Sequence, residues 1–298
     1  MKIFKKKGKT KGDIIFDAIL FIVCICIFLV IAYPLYFVII ASVSDSTLVS
    51  TGQVLFFPRG FSWFGYEQIF QDTRIWVGYR NTILYTFLGT AVNLLFTLPA
   101  AYTLSRKEFK ARKLLMFFFV FTMFFNGGMI PTYLLIRDLG MINTIWVFIF
   151  PFSVNVFNLI ITRTFFETSI PAELYEAASM DGCTHFKFFL KVVLPLSKAV
   201  IAVIGLYYLV GRWNDFFTGL LYVRDSALQP LQIVLRDILL SNQVLQQGAG
   251  SVGSGYAQRY ADQIKYGVII VSTLPILVIY PFIQKYFEKG VMIGSVKG

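Results

Sequence analysis

Histidine occurs once in this chain, at His185, and cysteine three times, at Cys24, Cys26 and Cys183. A metal centre needs several nitrogen, sulfur or carboxylate donors converging on one point, and a disulfide framework needs cysteines that can pair. Cys24 and Cys26 stand two positions apart inside one apolar run, on different sides of a helix, and Cys183 is isolated. No metal set or disulfide follows, and His185 reads as an interfacial side chain. Charge is scarce as well. Asp, Glu, Lys and Arg make up 14% of the residues, where a soluble domain carries about 25%. Nucleophile, base and metal clusters are missing, which argues against a membrane-embedded enzyme. Gly8-Lys9-Thr10 has the ending of a phosphate-binding loop. Ile3 stands where its first glycine belongs and no strand can precede it, so the backbone cradle has no scaffold.

Apolar residues are what the chain has in abundance: 57% of its 298 residues, including 32 Phe, with a mean hydropathy of +0.69. A soluble core of this size could not hide so much apolar surface. About 20 apolar residues cross a bilayer as a helix, and six runs qualify, at 14–41, 81–104, 114–136, 142–162, 199–223 and 266–287. The first is too long for a signal-peptide core of about 7–15 residues and reads as an uncleaved anchor. With the N-terminus inside, 18 Lys and Arg residues fall in cytoplasmic segments and 8 outside, with Arg212 in the fifth run. That excess predicts two cytoplasmic termini. The net charge of +11 then reflects short loops facing an anionic leaflet. The predicted fold is an all-α polytopic membrane protein. It has a basic tail (1–13), a first span (14–41), an extracytoplasmic loop (42–80), a core of five spans (81–288) and a cytoplasmic tail (289–298).

Carboxylates are nearly absent from the runs: Asp17 opens the first, Asp215 lies in the fifth, and the other four have none. Ion-coupled secondary transporters place Asp or Glu at their proton or sodium sites. A nucleotide site is missing too, so uphill movement must draw its energy from a partner. The polar groups present within the runs are candidates for a substrate path: Asn126, Asn155, Asn158, Tyr207, Arg212, Trp213, Asn214 and Asp215, with Asn93 better explained as a helix-to-helix bond. Proline at 34, 99, 151, 275 and 281 suggests kinked helices around a cavity.

Between the fourth and fifth runs, segment 171–195 reverses the composition. Pro171 suits the start of a helix, Glu173 and Glu176 put negative charge near its positive end, and Gly182 follows Asp181 where a left-handed stop is easy. A second stretch sets Lys187, Lys191 and Lys198 on a wet face against Phe186, Phe189 and Val193, and Leu194-Pro195 breaks it before the fifth run. Ala177 and Ala178 leave room for a close neighbour. The shape is a cytoplasmic helical hairpin, either a docking knob or an ordinary amphipathic interfacial loop.

Glu176-Ala177-Ala178, three residues, Gly182, nine residues, Val192, one residue and Leu194-Pro195 resembles the EAA signature of bacterial ABC-importer permeases. Val192, where the pattern has Ile, is the one departure. The surroundings, Ala101-Tyr102-Thr103-Leu104-Ser105-Arg106, Ile170-Pro171-Ala172-Glu173-Leu174, Trp213-Asn214 and the ending from Gly290 to Gly298, are similar to the carbohydrate-uptake branch and its smaller maltose-type permease. Asn126-Gly127-Gly128-Met129-Ile130-Pro131 is similar to the members serving complex oligosaccharides and polysaccharides, the alginate and lipoprotein types. The resemblance implies an importer in the bacterial cytoplasmic membrane: this chain, a homologous second permease, two ATPase subunits and an extracytoplasmic solute-binding protein. It implies that Glu173, Glu176, Ala177, Ala178, Asp181, Gly182, Leu194 and Pro195 couple the permease to an ATPase. ATP and Mg would be bound by the partner subunits, with no cofactor and no catalytic residue in this chain. The glycine- and glutamine-rich stretch 241–255 within the loop 224–265, with Gln246, Gln247, Gly248, Gly250 and Gly253, is flexible by composition. By resemblance it reaches into the binding protein; the alternative is a passive connector. The competing functions are a permease for another solute class and an ion-coupled secondary transporter.

Overall fold

The computed structural model describes residues 10–248, 264–279 and 281. It is built of helices joined by turns and irregular connections, with no strand among the described residues. The chain divides into two units, one within Met1–Gln71 and Leu239–Val271 and the other within Asp72–Ile238 and Ser272–Gly298.

The first unit begins with α1 (Lys11–Ser42). Thr10 and Asp13 form its capping box, the Asp13 amide donating to Thr10 Oγ1 and the Thr10 amide to Asp13 Oδ2, so Thr10 has a structural task that the phosphate-loop tripeptide concealed. Thirty-two residues make a rod of about 48 Å, longer than the hydrocarbon core of about 30 Å. After it come α2 (Ser46–Ser50) and α3 (Phe64–Gln71). The chain between them folds back on α1: the Tyr33 hydroxyl donates to Leu55 O at 3.2 Å, Tyr36 to Phe56 O, and Tyr66 to Ser42 Oγ at 2.8 Å. Ile40, Ala41, Val49 and Val54 form the small core this creates.

The second unit is organised on α4 (Thr73–Ser105), capped by Asp72, whose side chain accepts from the Arg74 amide. It continues through α5 (Arg112–Phe124), α6 (Met129–Asp138), α7 (Trp146–Ile149) and α8 (Val156–Ser169). Next come α9 (Ala172–Met180), α10 (His185–Phe188), a π turn (Phe189–Val193) and α11 (Leu194–Leu196). Then follow α12 (Lys198–Trp213), α13 (Phe216–Tyr222), α14 (Leu231–Gly248), which runs across the unit boundary, and α15 (Ile264–Ile279), which does the same.

Lys11–Ser42 and Thr73–Ser105 are each long and apolar enough to cross a membrane. Three of the other apolar runs depart from the expected single helices. The third breaks between α5 and α6 with a bend of 114°, because Gly128 sits at φ +82° and its amide donates to Asn126 Oδ1 instead of to a helix carbonyl. In the fourth, only α7 and α8 are helical; Pro151 has no N–H to continue a helix, and Phe152 takes φ +58°. The fifth stops at Trp213 and restarts at Phe216, with Asp215 capping the new helix through the Thr218 amide. The second run starts eight residues before its expected limit, where Asp72 supplies the cap. The sixth is helical to Ile279, and its stretch 282–287 lies outside the described residues.

Packing of α4 against α8 and α12 forms the main core of this unit, with Ala101, Leu159, Phe166, Phe188, Val193 and Ile204 closed from solvent. Its polar links sit at the seams. Thr97 Oγ1 lies 2.7 Å from the Tyr208 hydroxyl, which also accepts from the Asn155 amide at 3.0 Å. At the end of α4, Arg163 Nε donates to Leu104 O at 3.2 Å while its Nη2 pairs with Glu167 at 2.7 Å. Arg112 approaches the same carboxylate at 3.7 Å.

Candidate functional site

The hairpin between α8 and α12 is built from short local rules. Pro171 precedes α9 with φ −58° and ψ 144°, so it stands just before the helix, with Glu173 in the first turn. Helix α9 has no buried residue, and Glu173, Glu176 and Ala177 are exposed on its outward side. Its end is a left-handed stop of the kind expected at Gly182, which has φ +72°. The Gly182 amide donates to Ser179 O and the Cys183 amide to Ala178 O, both at 3.0 Å, the paired bonds of a Schellman motif. Asp181 is the exposed residue between helix and glycine. Thr184 then caps α10 through the Lys187 amide.

Two details of the second limb differ from the expected amphipathic helix. The π turn over Phe189–Val193 widens the helix by one residue and shifts the buried face. Phe186 is therefore 71% exposed, while Phe188, Phe189 and Val193 are the buried positions. The break expected at Leu194-Pro195 falls later: Pro195 lies within α11, and the chain bends by 84° between α11 and α12, at Ser197. Pro195 supplies no N–H in the last turn of the continuous helical stretch His185–Leu196, just before that bend.

Five residues to which sequence reasoning gave no such task hold the hairpin to the bundle. The Tyr175 ring stacks on His185 at 4.3 Å between centroids, and the Tyr175 hydroxyl lies 2.9 Å from His185 Nε2. Phe188 meets Tyr175 edge-on at 5.2 Å. Arg106, the residue after α4, lies over the rings of Tyr102, Phe188 and Tyr175 at 4.6, 5.4 and 5.7 Å. The spacing of Tyr102 and Arg106, one helical turn apart, is a signal that could have suggested part of this cluster.

The polar residues of the apolar runs sort differently. Arg212 Nη2 donates to Asn93 Oδ1 at 3.0 Å, to Pro151 O at 3.1 Å and to Ile149 O at 3.4 Å. It joins α4, α12 and the break in the fourth run. Gly89 gives it room: a Cβ there would stand 3.0 Å from Arg212 Nε. Asn93, at 2% exposure, is the helix-to-helix acceptor. Trp213 is buried and donates from Nε1 to Ser272 O at 3.1 Å. Asn155 caps α8 by accepting from the amide of buried Asn158 at 3.1 Å, and Asn126 and Asp215 hold turns. Asn214 donates to Val210 O at 2.9 Å and is exposed, as is Tyr207. The structure thus gathers Arg212, Asn93 and the carbonyls of the fourth run into one cluster, and distributes the other candidates along the seams. Gln246, Gln247 and Gly248 fall in the last turns of α14 rather than in a flexible loop; Gly250 and Gly253 lie outside the described residues.

Comparison with known proteins adds three findings. The family model described as "Binding-protein-dependent transport system inner membrane component" matches residues 75–293. The protein LplC of Bacillus subtilis is 40% identical over 294 residues, 97% of each chain. The polygalacturonan/rhamnogalacturonan transport system permease protein YtcP of the same organism is 40% identical over 95% of this chain and 99% of its own. Among solved structures, a chain of a bacterial ABC transporter involved in the import of the acidic polysaccharide alginate superposes with a TM-score of 0.84. It has 31% identity and covers 95% of this chain and 100% of that one. The present chain belongs to the family of inner-membrane components of binding-protein-dependent transport systems.

Proposed function

We propose that this chain is one of two homologous permeases of an ABC importer, and that its α9 hairpin docks into a cleft of an ATPase subunit. On this reading the six apolar runs span the membrane with both termini in the cytoplasm. A solute-binding protein delivers a carbohydrate from outside, and two ATPase subunits bind ATP and Mg. Glu173, Glu176 and Asp181 present negative charge to the ATPase, and exposed Ala177 allows close approach, whereas Ala178 turns toward the bundle core. Gly182, Leu194 and Pro195 shape the hairpin.

The observation that carries the reading is the construction of the hairpin. Its α10 and π-turn limb is locked into the bundle core by Phe188 and Val193, both at 0% exposure, while α9 leaves its acidic residues outward. A rigid mount with an exposed, charged tip suits transmission of force better than a mobile loop would. The substrate class follows relatives whose names specify polygalacturonan and rhamnogalacturonan, and a neighbour that imports alginate. Fragments of acidic polysaccharide are therefore the first sugars to test. Asn126, Asn155, Tyr207 and Asn214 are the exposed polar candidates for contact with it.

The deciding experiment purifies the chain with its co-encoded permease, ATPase and binding protein. ATPase stimulation is then measured with the binding protein loaded by a panel of neutral and acidic saccharides. Stimulation by an acidic oligosaccharide is expected. Sugar uptake by this chain alone in ATP-containing liposomes would refute the assignment.

A further inference from the structure

We propose that Arg106 is the positioning residue through which movement of α9 is passed to α4; the inference rests on the docking role assigned to the hairpin above. Arg106 is the first residue beyond α4. Its guanidinium carbon stands over one ring from α4 (Tyr102, 4.6 Å), one from α9 (Tyr175, 5.7 Å) and one from α10 (Phe188, 5.4 Å). One cation thereby touches both limbs of the hairpin and the long membrane helix.

The character of the contact differs from that of Arg212 and Arg163. Arg212 makes three directional hydrogen bonds to two neighbouring segments, and Arg163 is fixed by Glu167 and Leu104 O. Arg106 Nε and Nη2 are buried and make no hydrogen bond of ordinary geometry. Attraction between a guanidinium and a ring face depends on distance far more than on one bond direction. Such a contact holds its partners together while letting them turn.

Space to turn is present on both sides. A cavity of about 420 Å³ separates Arg106 and Glu108 from Phe166, Ile170 and the start of α9. A second of about 360 Å³ lies among Tyr102, Arg106, Phe109 and His185. Helix α9 has no buried residue of its own and reaches inward only through partly buried Tyr175 and Ala178. It can tilt about the Arg106 stack, and the stack passes the tilt to the end of α4.

The test uses the complete permease–ATPase complex and reads sugar imported per ATP hydrolysed. Arg106→Met keeps the length of the side chain and removes the charge, whereas Arg106→Lys keeps a cation over the rings. Arg106→Met is expected to retain basal hydrolysis and lower the ratio by at least about fivefold, the low end of ordinary coupling between sites, with Arg106→Lys restoring most of it. An unchanged ratio in Arg106→Met, or a Lys variant as poor as Met, overturns the proposal. Should Arg106→Met prevent assembly, Tyr175→Phe and Tyr175→Leu decide: Phe keeps the ring face and the ratio, Leu loses both. Equal ratios for those two also overturn it. Glu176→Lys serves as the control for docking. If it too leaves the ratio unchanged, the docking reading is at fault; if it alone lowers the ratio, only the role of Arg106 fails.

Discussion

Gly182 offers a clean perturbation of the hairpin, because the cost of a side chain there is conformational and nothing else. Its φ is +72°, and a Cβ built on it meets no atom within 4 Å. The left-handed region costs an ordinary L-residue about 1–2 kcal/mol, while Asn visits it readily. The Gly182 and Cys183 amide bonds that close α9 remain available to any substituent. A series of Gly182→Asn, Gly182→Ala and Gly182→Val should therefore grade the hairpin without introducing a clash. A penalty of 1–2 kcal/mol reduces the correctly turned population by a factor of roughly 5–30 relative to its alternatives. Recovery of the ATPase on a tagged permease, followed by uptake measurements, reads that population. The expected order is Gly and Asn together, then Ala, then Val. If Asn and Val behave alike, the left-handed turn is not what places α9, and the mechanical role given to it fails.

Other expectations can be checked on the same preparation. Glu176→Lys reverses the charge offered by an exposed position on α9 and should abolish uptake while the complex still inserts; normal uptake would remove this residue from coupling. Asn93→Leu deprives Arg212 of its side-chain acceptor and should cost about 1.5–3 kcal/mol, seen as a lower Tm of the purified complex; an unchanged Tm would show that the two carbonyls suffice. The hydrogen bond from Arg74, offset in part by burial, holds the Asp72 carboxyl below its usual range. A depressed carboxylate stabilises above its unfolded pKa of about 3.9 and loses that contribution only as pH falls through the folded value. The Asp72 contribution should thus be complete and independent of pH between pH 8 and pH 5, and a loss of thermal stability across that window that Asp72→Asn abolishes would contradict this. Deleting residues 249–255 should weaken stimulation by the loaded binding protein without affecting assembly; undiminished stimulation would make that stretch a connector.

How far the sequence was legible depended on the range of the interactions involved. The first limb of the hairpin could be read almost residue by residue, because Pro171, Glu173 and Gly182 act on neighbours within a turn or so. Hydropathy located the apolar runs but not their interruptions. A window of about 20 residues averages over Asn126-Gly127-Gly128 and Pro151-Phe152; the first break is held locally by the Asn126 side chain and the second by distant Arg212. The π turn was illegible for a similar reason: Phe189–Val193 has no distinctive composition, and its widening is settled by which side chains reach the core. Arg106 was read as a charge on the inner side and as the last position of the Ala101-to-Arg106 resemblance. Its three aromatic neighbours come from segments that are 4, 69 and 82 residues away along the chain, and nothing local announces that meeting.

The bonds made by Arg212 also set an order of events during synthesis. The carbonyls of Ile149 and Pro151 lie where the fourth apolar run loses its helix, and a backbone carbonyl facing lipid without a donor is costly. Their donor is 63 and 61 residues further along the chain. At ribosomal rates of about 5–20 residues per second, the broken run waits roughly 3–12 s for it. Through that interval the segment must stay in a watery or proteinaceous passage, or be sheltered by the translocation machinery. On the proposed six-span topology, only the arrival of the fifth run allows both to settle into the bilayer, as a pair.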